Sequence, residues 1–236
     1  MILIGSGKGG VGKSFVSCGL GLKLAELNYR VGLLDIDIHG ASVPNFLGVK
    51  GPLASTKDGL EPKNVDGLRV MSVALLAGEN SVPMRGGIEK QSTVSEMFSL
   101  TNWGDLDFLI VDLPPGTGDE VLSAFHLFRG HTEIVLVTTP SKNATSIVRR
   151  LALLAKAEKI PIGGIVVNMA YLKLENKILH PFGKANRKMI ERFLDSRVIG
   201  EIPLVPEINM LPLRDAVLKN NTLSQAFGSI GKVLGA

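Results

Sequence analysis

The stretch GSGKGGVGKS, Gly5 to Ser14, follows three apolar residues, Ile2 to Ile4, and precedes an apolar, helix-spaced segment. A short buried strand that turns directly into a helix through so many glycines leaves few architectures open. Glycine lets successive backbone N–H groups turn inward, and the helix behind adds its N-terminal dipole, so the turn is a cradle for phosphate oxygens. Gly7-x4-Gly12-Lys13-Ser14 satisfies the phosphate-loop pattern in its required context of strand before and helix after. Gly7, Lys8, Gly9, Gly10, Val11, Gly12, Lys13, Ser14 and Phe15 are therefore the expected nucleotide-contacting run. Lys13 is expected along the β- and γ-phosphates, and the Ser14 hydroxyl on Mg²⁺. A second lysine, Lys8, stands inside the turn and adds charge beside the phosphates.

The rest of the chain alternates between strands and helices. Strands are expected at Ile2 to Ile4, Val31 to Asp37, Leu68 to Leu76, Asp107 to Gly116, Glu133 to Pro140, Pro161 to Met169 and Val198 to Ile202. Between and after them, helical spacing covers Lys13 to Leu27, Ile88 to Leu100, Glu120 to Arg129, Ala144 to Glu158, Lys184 to Leu194, Leu211 to Leu218 and Leu223 to Leu234. Gly40 to Asp66 reads as loop-rich, with a short helix at Val43 to Leu47. This order predicts an α/β fold, a mostly parallel central sheet with helices on both faces, and a single domain over 1–236. The low aromatic content, 5%, and the reliance on Val, Ile, Leu and Ala suit such a buried parallel sheet.

Two further acidic stretches belong with the glycine loop. In VDLPPGTGD, Val111 to Asp119, an aspartate ends an apolar strand, where it can hold Mg²⁺ through water, so Asp112 is the metal-side carboxylate. Gly116, after the two prolines, is placed to offer its N–H to a γ-phosphate and to move when that group leaves. In LLDIDIHG, Leu33 to Gly40, Asp37 is assigned to orient the attacking water and Asp35 to support the metal from behind. His39 reads as an exposed histidine.

Lys and Arg total 26 against 22 Asp and Glu, a net charge of +4, which is too small to imply nucleic-acid binding. The one cysteine, Cys18, excludes an internal disulfide and reads as a small packed residue. No secretory leader is expected ahead of a loop that starts at the fifth residue, and no apolar run is long enough to span a bilayer. The expected compartment is the cytoplasm, with no stable membrane insertion.

The loop KGGVGKS resembles that of the ATPase superfamily containing MinD, ParA and the nitrogenase iron protein. The closer resemblance is to the Mrp/ApbC branch, the iron–sulfur cluster carrier ATPases. It is carried by LLDIDIHGASVPNFLG, MRGG (Met84 to Gly87), WGDLDFLIVDLPPGTGD, VTTPSKNA, GIVVNM and IGEIPLVPEI, which together with the loop cover most of the chain. The resemblance implies ATP as the nucleotide with Mg²⁺ and a homodimer in which Lys8 reaches the partner's nucleotide. It also implies Asn168 against the adenine and Pro206 or its neighbours closing over the base.

One departure matters. Carriers of this branch bear a CxxC shortly after the asparagine–methionine pair, whereas NMAYLKLENKILHPFG, Asn168 to Gly183, has no cysteine. Thiolates are what hold such clusters, and His180 alone does not replace them. The leading expectation is a Mg²⁺-dependent, ATP-hydrolysing dimeric switch whose iron–sulfur cargo and assembly or client partner are open. A positioning ATPase acting on membrane or DNA, and a non-hydrolysing regulatory scaffold, are the alternatives.

Overall fold

The computed structural model describes residues 1–38, 40–57, 59–76, 87–174, 177–209 and 212–236. For 87–92, 207 and 209 only the backbone is described. His39 and most of MRGG, Met84 to Gly86, lie outside the described residues.

Strand β1 (Ile2–Ser6) runs through the glycine loop into helix α1 (Lys13–Glu26), and β2 (Val31–Asp35) follows. Then come α2 (Val43–Leu47), β3 (Ala54–Thr56), β4 (Gly59–Glu61), β5 (Lys63–Val65), β6 (Leu68–Ser72), α3 (Val73–Leu76) and α4 (Gly87–Leu100). The second half carries β7 (Phe108–Asp112), α5 (Asp119–Leu127), β8 (Glu133–Thr138), α6 (Lys142–Ala157) and β9 (Ile162–Val167). It ends with β10 (Leu172–Leu174), β11 (Lys177–Leu179), α7 (Arg187–Leu194), β12 (Val198–Glu201), a 3-10 turn (Pro206–Asn209), α8 (Leu213–Lys219) and α9 (Asn221–Val233).

Eight strands form one sheet in the order β12-β9-β8-β1-β7-β2-β6-β5. All neighbours are parallel except β5, which runs antiparallel to β6 at the edge. Strand β1 sits between β7 and β8, and the chain leaves it first toward β2 and later crosses to the other side. Such a reversal opens a crevice at the carboxyl ends of the strands, where α/β sheets bind their ligands.

Both sheet faces are covered, and the two-residue period of the strands divides the core in two. Ile2, Ile4, Leu33, Ile110 and Val135 point to one side, where α1, α8 and α9 contribute Leu20, Leu24, Val217, Phe227 and Ile230. Leu3, Leu34, Val111 and Leu136 point to the other, against Met97 of α4, Phe125 of α5, Val148 and Leu151 of α6, and Leu194 of α7. Each fully buried side chain of this size contributes about 1.5–3 kcal/mol to holding the layers together.

The expected elements are present with shifted ends. The predicted strand over Leu68 to Leu76 stops at Ser72, whose Oγ accepts from Ala74 N at 3.2 Å and turns the chain into α3. The strand predicted to Asp37 ends at Asp35, because the Asp35 carboxylate accepts the Asp37 N–H at 3.1 Å and removes it from the sheet. The helix predicted from Lys184 starts at Arg187, capped by Asn186 Oδ1, which accepts from Met189 N at 3.1 Å. The loop-rich stretch 40–66 holds, besides α2, the hairpin β3–β4 and the edge strand β5.

Candidate nucleotide site

The loop is shaped by what surrounds it. Gly7 has no room for a side chain: a Cβ there would lie 2.4 Å from the backbone nitrogen of Val148 in α6. Gly10 and Gly12 have φ of 80° and 83°, the left-handed region that favours glycine. Gly12 also caps α1, its carbonyl accepting from Val16 N at 3.0 Å, and a Cβ on it would lie 2.1 Å from Asn168 Nδ2. The Ser6 hydroxyl donates to the Lys8 carbonyl at 3.0 Å and fixes the entry of the turn. Around this turn opens a cavity of about 550 Å³, lined by the loop, Asp37, Phe46, Pro114, Pro115 and Glu120 among others.

Beneath the loop, the first turns of α1 meet the end of β7. Lys13 Nζ donates to Asp112 Oδ2 at 2.8 Å, and Ser14 Oγ donates to the same oxygen at 2.5 Å. Ser17 Oγ donates to Asp112 Oδ1 at 2.6 Å. Asp112 is fully buried. Three donors from one helix face thus fill both oxygens of one carboxylate, as charge-assisted bonds in a dry setting. Lys13 Nζ also lies 3.8 Å from Asp37 Oδ2.

The register of β2 and β7 sets Asp35 directly opposite Asp112. Asp35 Oδ2 accepts from Ser72 Oγ at 3.0 Å. Burial, and after it the facing Asp112, push the Asp35 carboxyl up to about 7. Asp37 is raised too, by burial first and against the pull of Lys13, while its Oδ1 accepts from Gly40 N at 3.1 Å. Oxygen donors of this kind, a serine hydroxyl and a carboxylate on the same wall, suit a hard divalent cation such as Mg²⁺. Among the described residues no group of three or more His, Cys, Asp or Glu is placed to hold a metal ion.

Four of the expected residues lie outside the cluster around Asp112. The Gly116 N–H donates to the Ser6 carbonyl at 2.8 Å, with φ at 94°, so it reaches a phosphate only by giving up that bond. Asn168 is buried and its Nδ2 donates to the Val11 carbonyl at 2.9 Å, tying the end of β9 to the loop. Pro206 is exposed and does not line the cavity, and Lys8 is exposed at its rim. Sequence reading missed Ser17, Ser72 and the Gly40 amide. Ser17 had a signal, since it stands three and four residues after Ser14 and Lys13 on one helix face.

Where the CxxC of the resembling family would stand, the chain forms the hairpin β10–β11, with Leu174, Ile178 and Leu179 exposed and Phe182 just beyond. His180 Nδ1 lies 3.3 Å from the Ala170 carbonyl. Cys18 is fully buried in α1, and burial, then the charges of Asp112 and Asp35, push its thiol well up.

The family profile described as ParA, the NUBPL iron-transfer P-loop NTPases, matches residues 1–231. The chain belongs to this family. It is therefore a P-loop NTPase, of a class that hydrolyses nucleoside triphosphates. Among relatives of this NUBPL-type chain, an iron–sulfur cluster carrier protein of Saccharolobus solfataricus is 39% identical over 209 residues, covering 86% of this chain and 70% of that one. A cytosolic Fe–S cluster assembly factor NUBP2 homologue of Dictyostelium discoideum is 36% identical, covering 89% and 82%. Against the carrier protein of Aquifex aeolicus, 34% identical and matched over 99% of this chain, the chain spans 66% of the relative's length. A nucleotide-binding protein of Archaeoglobus fulgidus solved with ADP superposes with a TM-score of 0.78 at 31% identity, covering 96% and 89%. The septum site-determining protein MinD of Pyrococcus horikoshii, at 21% identity and a TM-score of 0.74, shares the fold, with 99% and 95% covered.

Proposed function

We propose that this NUBPL-type chain is a Mg²⁺-dependent ATPase switch that works as a homodimer, with residues 1–236 forming one ATPase unit. The observation that supports this most strongly is the convergence of Lys13, Ser14 and Asp112 under a preformed phosphate loop. In this reading Lys13 swings from Asp112 onto the β- and γ-phosphates, and the loop amides of 7–14 hold the remaining charge. Ser14 and Asp112 hold the metal, with Asp35 behind Asp112. A Mg²⁺ ion held there would neutralise charge on the phosphates. Asp37, anchored by the Gly40 amide, orients the attacking water. The Asn168 carboxamide oxygen accepts from the adenine amine while its nitrogen stays on Val11, with Pro206 nearer the open side of the base. Gly116 exchanges the Ser6 carbonyl for the γ-phosphate, coupling the phosphate to the loop after β7.

The exposed Lys8 completes the site of the facing protomer, and hydrolysis relaxes the pair. Velocity sedimentation with Mg²⁺ and a non-hydrolysable ATP analogue is expected to give dimers for the native chain and monomers for Lys8→Ala. A native chain that stays monomeric overturns the dimeric part of the reading.

Of the three relatives compared above, two are named as iron–sulfur cluster carriers and one as a cluster assembly factor. We propose an iron–sulfur cluster or its apoprotein client as the cargo, with thiolate ligands supplied by the partner, since the chain's single cysteine is buried beside Asp112. Among the described residues no helix is long and apolar enough to cross a membrane, and the cytoplasm is the compartment this reading favours.

A further inference from the structure

We propose that Ser17 is the residue that keeps Asp112 aimed at the metal during turnover. This rests on the Mg²⁺–nucleotide reading above. Asp112 has three side-chain donors, and two of them, Lys13 and Ser14, carry duties toward phosphate and metal that draw them off its Oδ2. Ser17 has no such duty. It sits one helical turn deeper in α1, is fully buried, and reaches Oδ1, the other oxygen, at 2.6 Å. Its alternative acceptor, the Lys13 carbonyl, is farther away at 3.2 Å, so the hydroxyl proton belongs with the carboxylate.

The need for such a tether follows from the charge around it. Asp35 faces Asp112 across the β2–β7 register, and both are buried. Once Lys13 departs, nothing on α1 except Ser17 opposes a rotation of Asp112 away from Asp35. A hydroxyl on Oδ1 fixes the carboxylate plane and leaves Oδ2 directed at the place Ser14 Oγ occupies. Ser17 is thus a positioning residue, acting through Asp112 and touching neither nucleotide nor metal.

The test compares the affinity of a fluorescent N-methylanthraniloyl-ADP with Mg²⁺ and with EDTA, for the native chain, Ser17→Ala and Ser17→Cys. The cysteine keeps the shape and donates only weakly. Expected are unchanged affinities in EDTA and a Mg²⁺ enhancement reduced about 3- to 10-fold in Ser17→Ala, with Ser17→Cys between it and the native value. Melting in EDTA confirms that each variant is folded. An unreduced enhancement in Ser17→Ala, or an equal loss with and without metal, overturns the proposal. A native chain with no Mg²⁺ enhancement overturns the underlying metal reading instead, whatever the variants do.

Discussion

Asp35 and Asp112 lie directly opposite each other at the carboxyl ends of neighbouring parallel strands, both fully buried. Two carboxylates in that setting do not both ionise without a cation between or beside them. Lys13 is the cation that serves the ligand-free state, 2.8 Å from Asp112, while burial and the facing Asp112 raise the Asp35 carboxyl.

This gives a sign for the pH dependence of the ligand-free protein. The Asp35 carboxyl goes from an ordinary 3.8 when unfolded to about 7 when folded. Between those values the folded chain holds a proton that the unfolded chain has released, so stability falls as pH rises through this window and levels off above it. Melting at pH 5.5 and 7.5 in EDTA is expected to show this fall, and Asp35→Asn to flatten it. At pH 7.5 the substitution is expected to stabilise by on the order of 1–3 kcal/mol. The asparagine oxygen still accepts one of the two present bonds, and the Ser72 hydroxyl rotates to accept from the amide nitrogen. Identical pH profiles for the two proteins would contradict the assignment.

Asn168→Ala removes the donor to the buried Val11 carbonyl and the acceptor proposed for adenine. Expected are a loss of about 1–2 kcal/mol in unfolding free energy, weaker binding of ATP, and a smaller preference for ATP over GTP. Competition titrations of both nucleotides check this. Weaker binding with an unchanged preference would leave Asn168 as a clamp of the loop alone.

Anoxic reconstitution with iron and sulfide tests the cargo reading. The chain alone is expected to retain no stoichiometric cluster by visible absorption or acid-labile sulfide. A cysteine-bearing partner is expected to retain one in a complex that forms with ATP. A brown, sulfide-containing protein from the isolated chain would falsify the view that its ligands come from elsewhere.

The parts of the molecule that sequence foretold are those governed by local rules. The glycine loop, α1 and the acids ending β2 and β7 are set by backbone sterics and strand burial, and each stands where its pattern places it. Strand ends were less legible. Ser72 and Asp35 terminate their strands through side-chain bonds to nearby amides, which compete with the sheet in a way hydropathy does not register. The β10–β11 hairpin escaped notice because LKL and KIL are short and apolar-basic, with no turn signature between them. Gly116 and Asn168 stand out in the sequence, but their present partners, the Ser6 and Val11 carbonyls, come from other parts of the chain and depend on the tertiary fold.

The claim that this site hydrolyses ATP with Asp37 orienting the water is tested most directly by single-turnover phosphate release with Mg²⁺, comparing the native chain with Asp37→Asn. The account predicts release from the native chain, a rate at least about 100-fold lower in the variant, and ATP affinity close to native in both. Release at the native rate from Asp37→Asn would contradict it.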